Sequence, residues 1–147
     1  MPVGAPDPAA DGPLVLVVED DPVSAHVARS LLGRMGYRTD HAATGPAALA
    51  RLLEGGIDLA LMDCHLPDLD GLEVASRYRS LERAAGGDGR LPIVAISADA
   101  FEETRAHCLA MGMDDHLAKP YHASDLMAIV TRWLERARAT EDLAPGV

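Results

Sequence analysis

The sequence predicts an α/β fold, in which a five-stranded parallel sheet is covered by helices on both faces. Short apolar runs alternate five times with segments of helical periodicity between residues 14 and 138. Several of the runs are continuously apolar, which is typical of strands covered on both faces. Alternating β and α units imply parallel strands joined by crossover helices.

The first strand is predicted at Leu14–Val18. Asp21 followed by Pro22 begins helix 1, because Asp is a good N-cap and Pro is favoured at the first helical position. Gly36 ends this helix. The apolar residues that recur at helical spacing on one face are Val23, Val27, Leu31, Leu32 and Met35.

The second strand, Arg38–Ala42, is polar, which places it near an edge of the sheet. Thr44-Gly45-Pro46 begins helix 2, and Gly55-Gly56 ends it. The third strand, Leu59–Met62, is followed by Asp63. The leucines of helix 2 that are expected to face inward are Leu49, Leu52 and Leu53.

The rest of the chain follows the same alternation. Helix 3 is predicted at about 72–81, strand 4 at 93–96 before Ser97, helix 4 at about 101–111, strand 5 at 115–118 before Lys119-Pro120, and helix 5 at about 124–138. A doubly wound, flavodoxin-like sheet has the strand order 2-1-3-4-5, which places strands 1 and 3 side by side at the switch point. This topology brings Glu19, Asp20 and Asp63 together.

Three carboxylates at one point repel each other, so this cluster favours a cation. Oxygen ligands suit Mg²⁺, which often bridges to phosphate. The simpler interpretation is that Glu19, Asp20 and Asp21 only cap helix 1 and complement its dipole. We assign capping to Asp21, and metal binding to Glu19 and Asp20.

Asp63 is an acid at the end of a buried strand, where a charge is costly unless the site needs it. A carboxylate held by a metal can act as a nucleophile and form an aspartyl phosphate. Phosphoryl transfer needs mainly positioning and charge neutralisation, and Lys119, aimed by Pro120, supplies a positive charge. Ser97 alone indicates a turn or cap, but beside these groups it becomes a candidate donor to a phosphoryl oxygen.

Composition narrows the class of protein. The 147 residues fit one domain, predicted at 14–138 between a flexible arm or linker at 1–13 and a flexible tail at 139–147. The net charge of −10 argues against binding to nucleic acid or to an anionic membrane surface. The two cysteines form no disulfide framework, no run approaches the ~20 apolar residues of a membrane span, and the first residues do not resemble a signal peptide. We expect a cytoplasmic location.

The motifs together resemble the receiver domain of two-component response regulators, over about Leu14 to Arg138. The resemblance rests on five pieces in order: Val17-Val18-Glu19-Asp20-Asp21, Leu61-Met62-Asp63, Pro67 with Asp70-Gly71, Ser97-Ala98, and Lys119-Pro120. It implies that Asp63 is the phosphoacceptor and that Glu19, Asp20 and Asp63 bind Mg²⁺, for which Mn²⁺ can substitute. The main-chain carbonyl of His65 would be a further metal ligand.

The resemblance also implies that Ser97 and Lys119 contact the phosphoryl group, with Ala98 beside them, and that phosphorylation switches the strand 4–strand 5 face. Glu19 replaces the commonest Asp of the family, a frequent variant. His116 replaces the Tyr or Phe that moves inward in many members, and a histidine can make this movement less well. His65 and Asp99 occupy positions that tune hydrolysis of the acyl phosphate in the family.

The resemblance implies a phosphoacceptor signalling domain with no catalysis beyond its own phosphorylation and dephosphorylation. The implied partners are a histidine kinase or a histidine phosphotransfer protein, and a second copy in a phosphorylation-dependent dimer. The chain resembles the C-terminal receiver of a hybrid histidine kinase slightly more than a stand-alone receiver. Two alternatives are a pseudo-receiver that only binds protein, which intact Asp63 and Lys119 oppose, and a haloacid dehalogenase-like phosphatase, whose DxDx[TV] motif residues 19–23 do not fit.

Overall fold

The computed structural model describes residues 12–86 and 89–143, with side chains as far as residue 137 in the last helix. Ten elements alternate along the chain as predicted. The strands are β1 Leu14–Val18, β2 Arg38–Ala42, β3 Leu59–Asp63, β4 Ile93–Ser97 and β5 Asp115–Ala118. The helices are α1 Pro22–Arg34, α2 Gly45–Glu54, α3 Gly71–Ala84, α4 Glu102–Ala110 and α5 Ala123–Leu143.

The five strands form one parallel sheet in the order β2-β1-β3-β4-β5, which confirms the predicted fold class. In the register of β1 and β3, Val18 pairs with Met62. The residues that follow this pair, Glu19 and Asp63, therefore leave the sheet at the same carboxyl edge. In an open α/β sheet, this edge is where ligands bind.

Alternate residues of the strands pack into two apolar layers, one on each face of the sheet. Leu16 and Val18 of β1 belong to the layer covered by α2, α3 and α4. Val15 and Val17 belong to the layer covered by α1 and α5. Burial on both faces explains why this strand is continuously apolar.

One expectation about an inward-facing residue was wrong: Leu53 is 54% exposed, because α2 packs through Ala48 and Leu52 and the next position points outward. Of the apolar residues predicted to recur on one face of α1, Val23 and Val27 are 70% and 47% exposed, because α1 packs against the sheet through smaller residues and Leu32. The exposed valines of α1 leave an apolar surface beside the carboxyl edge of β1.

The two ends of the domain extend beyond the first strand and beyond the predicted end of the last helix. Residues 1–11 of the predicted arm lie outside the described residues, while the Pro13 carbonyl accepts a hydrogen bond from the Arg38 N–H and so joins β2. Helix α5 continues to Leu143, past its predicted end at about 138, and 144–147 lie outside the described residues. No helix in the described ranges has the length and hydropathy needed to cross a membrane.

A buried arginine, which sequence reasoning missed, organises the amino edge of the sheet. Arg79 of α3 is 3% exposed and pairs with Glu82 at 2.8 Å and with Asp114 at 2.7 Å. It also donates to the carbonyls of Leu91 and Gly112. These bonds join α3 to the segments that precede β4 and β5.

Candidate phosphoryl-transfer site

Three carboxylates meet at the carboxyl edge of β1 and β3. Oxygen atoms of Glu19, Asp20 and Asp63 all lie within 4.8 Å of one another. Glu19 and Asp63 are each 6% exposed, whereas Asp20 is open to solvent. The topology therefore brings together the three acids that the sequence predicted would converge.

Backbone contacts fix Glu19. Its N–H donates to the Ala42 carbonyl at 3.0 Å, which extends the pairing of β1 and β2 by one residue. The Nε2 atom of His41 lies 2.8 Å from the Glu19 carbonyl oxygen, and because a carbonyl only accepts, the ring nitrogen donates. His41 has no ligand spacing to the other histidines, so sequence reasoning missed this contact across two strands.

Close packing beneath the site fixes Asp63. Its Oδ1 accepts a hydrogen bond from the His65 N–H at 2.9 Å. Gly71, at the start of α3, approaches so closely that a Cβ there would lie 2.1 Å from the Asp63 carbonyl oxygen. A glycine is required at this position because any side chain would push α3 away from the end of β3.

Lys119 reaches the cluster from the end of β5. Its Nζ lies 2.5 Å from Glu19 Oε1 and 3.2 Å from Asp63 Oδ2. Burial alone lowers the pKa of Lys119, but the hydrogen bond to Glu19 and the charge of Asp63 outweigh it, so the pKa lies above its usual value. The lysine is therefore a cation at neutral pH.

The charges of this site fit a divalent cation. Three carboxylates face one ammonium group, and this is the one cation that the described residues pair with the cluster. Two negative charges remain in excess. Mg²⁺ in proteins is usually bound by oxygen ligands and retains several water molecules. The three carboxylates supply oxygen ligands, and the exposed side of the cluster at Asp20 leaves room for water.

Ser97, the last residue of β4, is buried but turned toward β5. Its Oγ lies 2.8 Å from His116 Nε2 and 3.0 Å from the Asp99 carbonyl oxygen. Among the hydrogen bonds of the described residues, none joins this hydroxyl to Asp63 or Lys119. Its backbone does contact the site, because the Ser97 carbonyl accepts from the Lys119 N–H at 2.7 Å.

The remaining predicted site residues surround this core. His65 and Ala98 are exposed. The Asp99 carboxylate accepts from the Thr104 hydroxyl at 2.6 Å and from the Phe101 N–H at 2.8 Å, and these bonds lower its pKa. Asp99 thus bonds to the start of α4. The tuning roles predicted for His65 and Asp99 stay predictions.

Cys64, next to Asp63, is buried against Cys108 of α4, with the two Sγ atoms 3.7 Å apart. Burial is the main reason that the pKa of each thiol lies above its usual value. A reactive cysteine needs thiolate character. Cys64 is therefore a buried packing residue beside the site.

The comparison with known families decides the class of this site. Residues 15–131 match the model described as the response regulator receiver domain. The chain belongs to the response regulator receiver domain family. This match supports the receiver hypothesis over the haloacid dehalogenase-like alternative.

Curated relatives of this receiver domain include much longer sensor kinases. It is 33% identical over 132 residues to the sensor histidine kinase RcsC of Escherichia coli K12, which covers 90% of this chain and 13% of RcsC. It is 37% identical over 119 residues to the aerobic respiration control sensor protein ArcB of the same strain, which covers 81% of this chain and 15% of ArcB. The chain therefore spans only a small part of these relatives.

Two solved structures extend the likeness. The receiver domain of the sensor histidine kinase PA1611 from Pseudomonas aeruginosa, which has a magnesium ion coordinated in its active site cleft, is 38% identical, with a TM-score of 0.75 over 84% of this chain and 98% of that one. A chain of the Saccharomyces cerevisiae complex between the histidine phosphotransfer protein Ypd1 and the receiver domain of Ssk1 is 30% identical. Its TM-score is 0.79 over 82% of this chain and 88% of that one.

Proposed function

We propose that this receiver domain accepts a phosphoryl group from a phosphohistidine onto Asp63. The observation that supports the proposal most directly is the buried Asp63 carboxylate, whose oxygens lie within 4.8 Å of those of Glu19 and Asp20 and which also pairs with Lys119. Phosphoryl transfer depends chiefly on positioning and on neutralising charge. This constellation offers a fixed oxygen nucleophile and a fixed cation.

In this proposal, Glu19, Asp20 and Asp63 hold Mg²⁺, together with the main-chain carbonyl of His65. The bound ion would supply positive charge for the oxygens of the transferred phosphoryl group. The fit rests on the two excess negative charges and on the oxygen-only donors. The magnesium in the PA1611 receiver supports it by analogy.

The transfer balances without any further reactant. A carboxylate oxygen of Asp63 bonds to phosphorus as the bond from phosphorus to the donor imidazole nitrogen breaks. The electron pair of that bond stays on the imidazole, which takes up a proton. Lys119 would exchange part of its contact with Asp63 for a contact with a phosphoryl oxygen, and Ser97 would donate its hydroxyl proton to another.

The donor histidine needs a docking surface beside Asp63, and α1 provides one. Val23 is 70% and Val27 is 47% exposed, and α1 begins three residues after Glu19. Contiguous exposed apolar surface is a common mark of protein interaction sites, and these two valines are neighbours one turn apart on the helix. The partner is a histidine kinase or a histidine phosphotransfer protein, as the Ypd1–Ssk1 complex suggests by analogy.

The response to phosphorylation would be a rearrangement at the β4–β5 face. Ser97 lies at the end of β4, and its hydrogen-bond partner His116 lies on β5. Movement of the Ser97 hydroxyl toward Asp63 would break contacts on both strands. The chain therefore has two arrangements between which phosphorylation can select.

Intact-protein mass spectrometry after incubation with acetyl phosphate tests the proposal. We expect one added phosphoryl group that requires Mg²⁺ and is absent from Asp63→Asn. A failure of any adduct to form, together with no binding of beryllofluoride, would contradict phosphoacceptor function and favour the pseudo-receiver. An adduct of the same yield on Asp63→Asn would contradict the assignment to Asp63.

A further inference from the structure

The hydroxyl of Ser97 has three neighbours within hydrogen-bonding distance. His116 Nε2 lies at 2.8 Å, the Asp99 carbonyl oxygen at 3.0 Å, and the Asp99 backbone nitrogen at 3.3 Å. Ser97 itself is 1% exposed, so water does not compete freely for this group. The hydroxyl therefore has a specific hydrogen-bond arrangement.

Proton counting selects that arrangement. A hydroxyl donates one proton and accepts up to two. All three contacts are hydrogen bonds in only one arrangement: the Asp99 N–H donates to the hydroxyl, the hydroxyl donates to the Asp99 carbonyl, and His116 donates from Nε2. If Nε2 were unprotonated, it and the Asp99 carbonyl would compete for the one hydroxyl proton.

We infer that His116 is a positioning residue, whose Nε2–H holds the Ser97 hydroxyl in the arrangement that commits its proton to the Asp99 carbonyl. The inference rests on the proposed function, since it concerns the step in which Ser97 turns to a phosphoryl oxygen on Asp63. That step requires the hydroxyl proton to leave Asp99. His116 therefore stabilises the unphosphorylated state of this receiver.

The bond needs a hydrogen-bond donor at position 116, because neither Phe nor Leu has a group that can donate to Ser97. His116 lies on β5 and Ser97 on the neighbouring strand β4. His116 pairs with Ala95, two residues before Ser97, which itself pairs with Ala118. Breaking the bond thus uncouples the two strands at one point. The resting arrangement and the arrangement of the phosphorylated state differ by this hydrogen bond and by the one to Asp99.

Four proteins test the inference: wild type, His116→Leu, Ser97→Ala and the double variant. The measurement is the dissociation constant of beryllofluoride, a phosphoryl mimic, in the presence of Mg²⁺, by calorimetry. Loss of one net hydrogen bond from the resting state predicts that His116→Leu binds the mimic about three- to tenfold more tightly than wild type. In the Ser97→Ala background, the same change should alter binding less than about twofold.

The conservative variant His116→Gln separates positioning from packing. Its amide N–H can replace the ring donor, so we expect mimic binding within about twofold of wild type. Weaker or unchanged binding by His116→Leu would overturn the inference. An equal gain with Ser97 absent would also overturn it, because the effect would then not pass through Ser97.

Ring nitrogen NMR of wild type tests the same point without a variant that could misfold. We expect the Nε2–H form of His116 in the free protein and a changed Nε2 shift when the mimic binds. The Nδ1–H form would overturn the inference. If wild type neither binds the mimic nor takes a phosphoryl group from acetyl phosphate, the proposed function fails; if it does both and the cycle is additive, only the role of His116 fails.

Discussion

At the scale of single residues, Lys119 competes with any metal for the same carboxylates. Its ammonium lies 2.5 Å from Glu19 Oε1 and 3.2 Å from Asp63 Oδ2, and both acids are almost fully buried. Removing one positive charge at this range strengthens the attraction of the three acids for another cation. We therefore expect the lysine to weaken metal binding in the resting state.

We predict that Lys119→Met binds Mg²⁺ about tenfold more tightly than wild type, even if phosphorylation slows. Calorimetric titration with Mg²⁺ measures this change. Arg83→Met, which removes a positive charge from the exposed end of α3, is the control and should leave the affinity nearly unchanged. Equal or weaker binding by Lys119→Met would contradict the competition.

His116 also links stability to pH. Burial and the charge of Arg105 on α4 lower its pKa below the usual 6.5, against the opposing charges of Asp115 beside it and Asp99 in the loop before α4. A histidine with a lowered folded pKa favours the native state in its neutral form. Its contribution is complete above the unfolded pKa and is lost as pH falls through 6.5 toward the folded pKa.

We predict that wild type loses more stability than His116→Gln between about pH 7.5 and pH 5.5. Urea unfolding at both pH values gives the two differences in free energy. The glutamine variant cannot titrate but keeps a side-chain donor. Parallel losses in the two proteins would show that His116 is not the group responsible.

At the scale of the elements, Arg79 joins α3 to the amino edge of β4 and β5. Arg79 forms two buried ion pairs, with Glu82 and with Asp114. When the guanidinium is removed, both acids lose their main counter-charge. Breaking a buried pair by removing one partner is strongly destabilising, because an uncompensated charge stays behind. Asp114 keeps one further ion pair, with the half-exposed Arg90.

We predict that Arg79→Met lowers the free energy of unfolding by about 3 kcal/mol. Arg83→Met on the same helix is exposed and should change it by less than about 0.5 kcal/mol. Urea denaturation of the three proteins measures both values. A stability equal to that of the Arg83 control would mean that water or rearrangement satisfies the two acids.

Helix α1 has an exposed apolar face next to the acids, which we assign to donor docking. We predict that Val23→Asp slows phosphoryl transfer from a phosphorylated histidine phosphotransfer protein such as Ypd1 at least about tenfold. Phosphorylation by acetyl phosphate should be unchanged, since that donor needs no docking surface. Leu53→Asp, at another exposed apolar position on α2, is the control; a similar loss there, or none at Val23, would remove the assignment to α1.

At the scale of the whole molecule, much of the fold could be predicted because its rules are local or topological. Apolar runs indicated the strands, and capping residues indicated where helices begin. The side chains of Asp21 and Thr44 do accept hydrogen bonds from backbone N–H groups in the first turns of α1 and α2. The parallel order then placed Glu19 and Asp63 at one edge. The convergence of the acids followed from topology without any side-chain geometry.

Side-chain contacts that the sheet topology does not imply were not predictable. The Ser97–His116 bond spans nineteen residues, and the pairing of Arg79 with Asp114 spans thirty-five. A helical pattern gives no sign that an arginine is buried, because charged residues normally lie outside. The exposure of Leu53 was missed for the converse reason, since apolar periodicity alone does not say which positions of a helix are buried.

The central claim is that Asp63, and neither neighbouring acid, receives the phosphoryl group. Borohydride reduction of the protein treated with acetyl phosphate and Mg²⁺ converts an aspartyl phosphate to homoserine, and peptide mass spectrometry then locates it. We expect homoserine at position 63 alone, with none in the absence of Mg²⁺. Homoserine at position 20, or at several acids in proportion to their exposure, would contradict the assignment to Asp63.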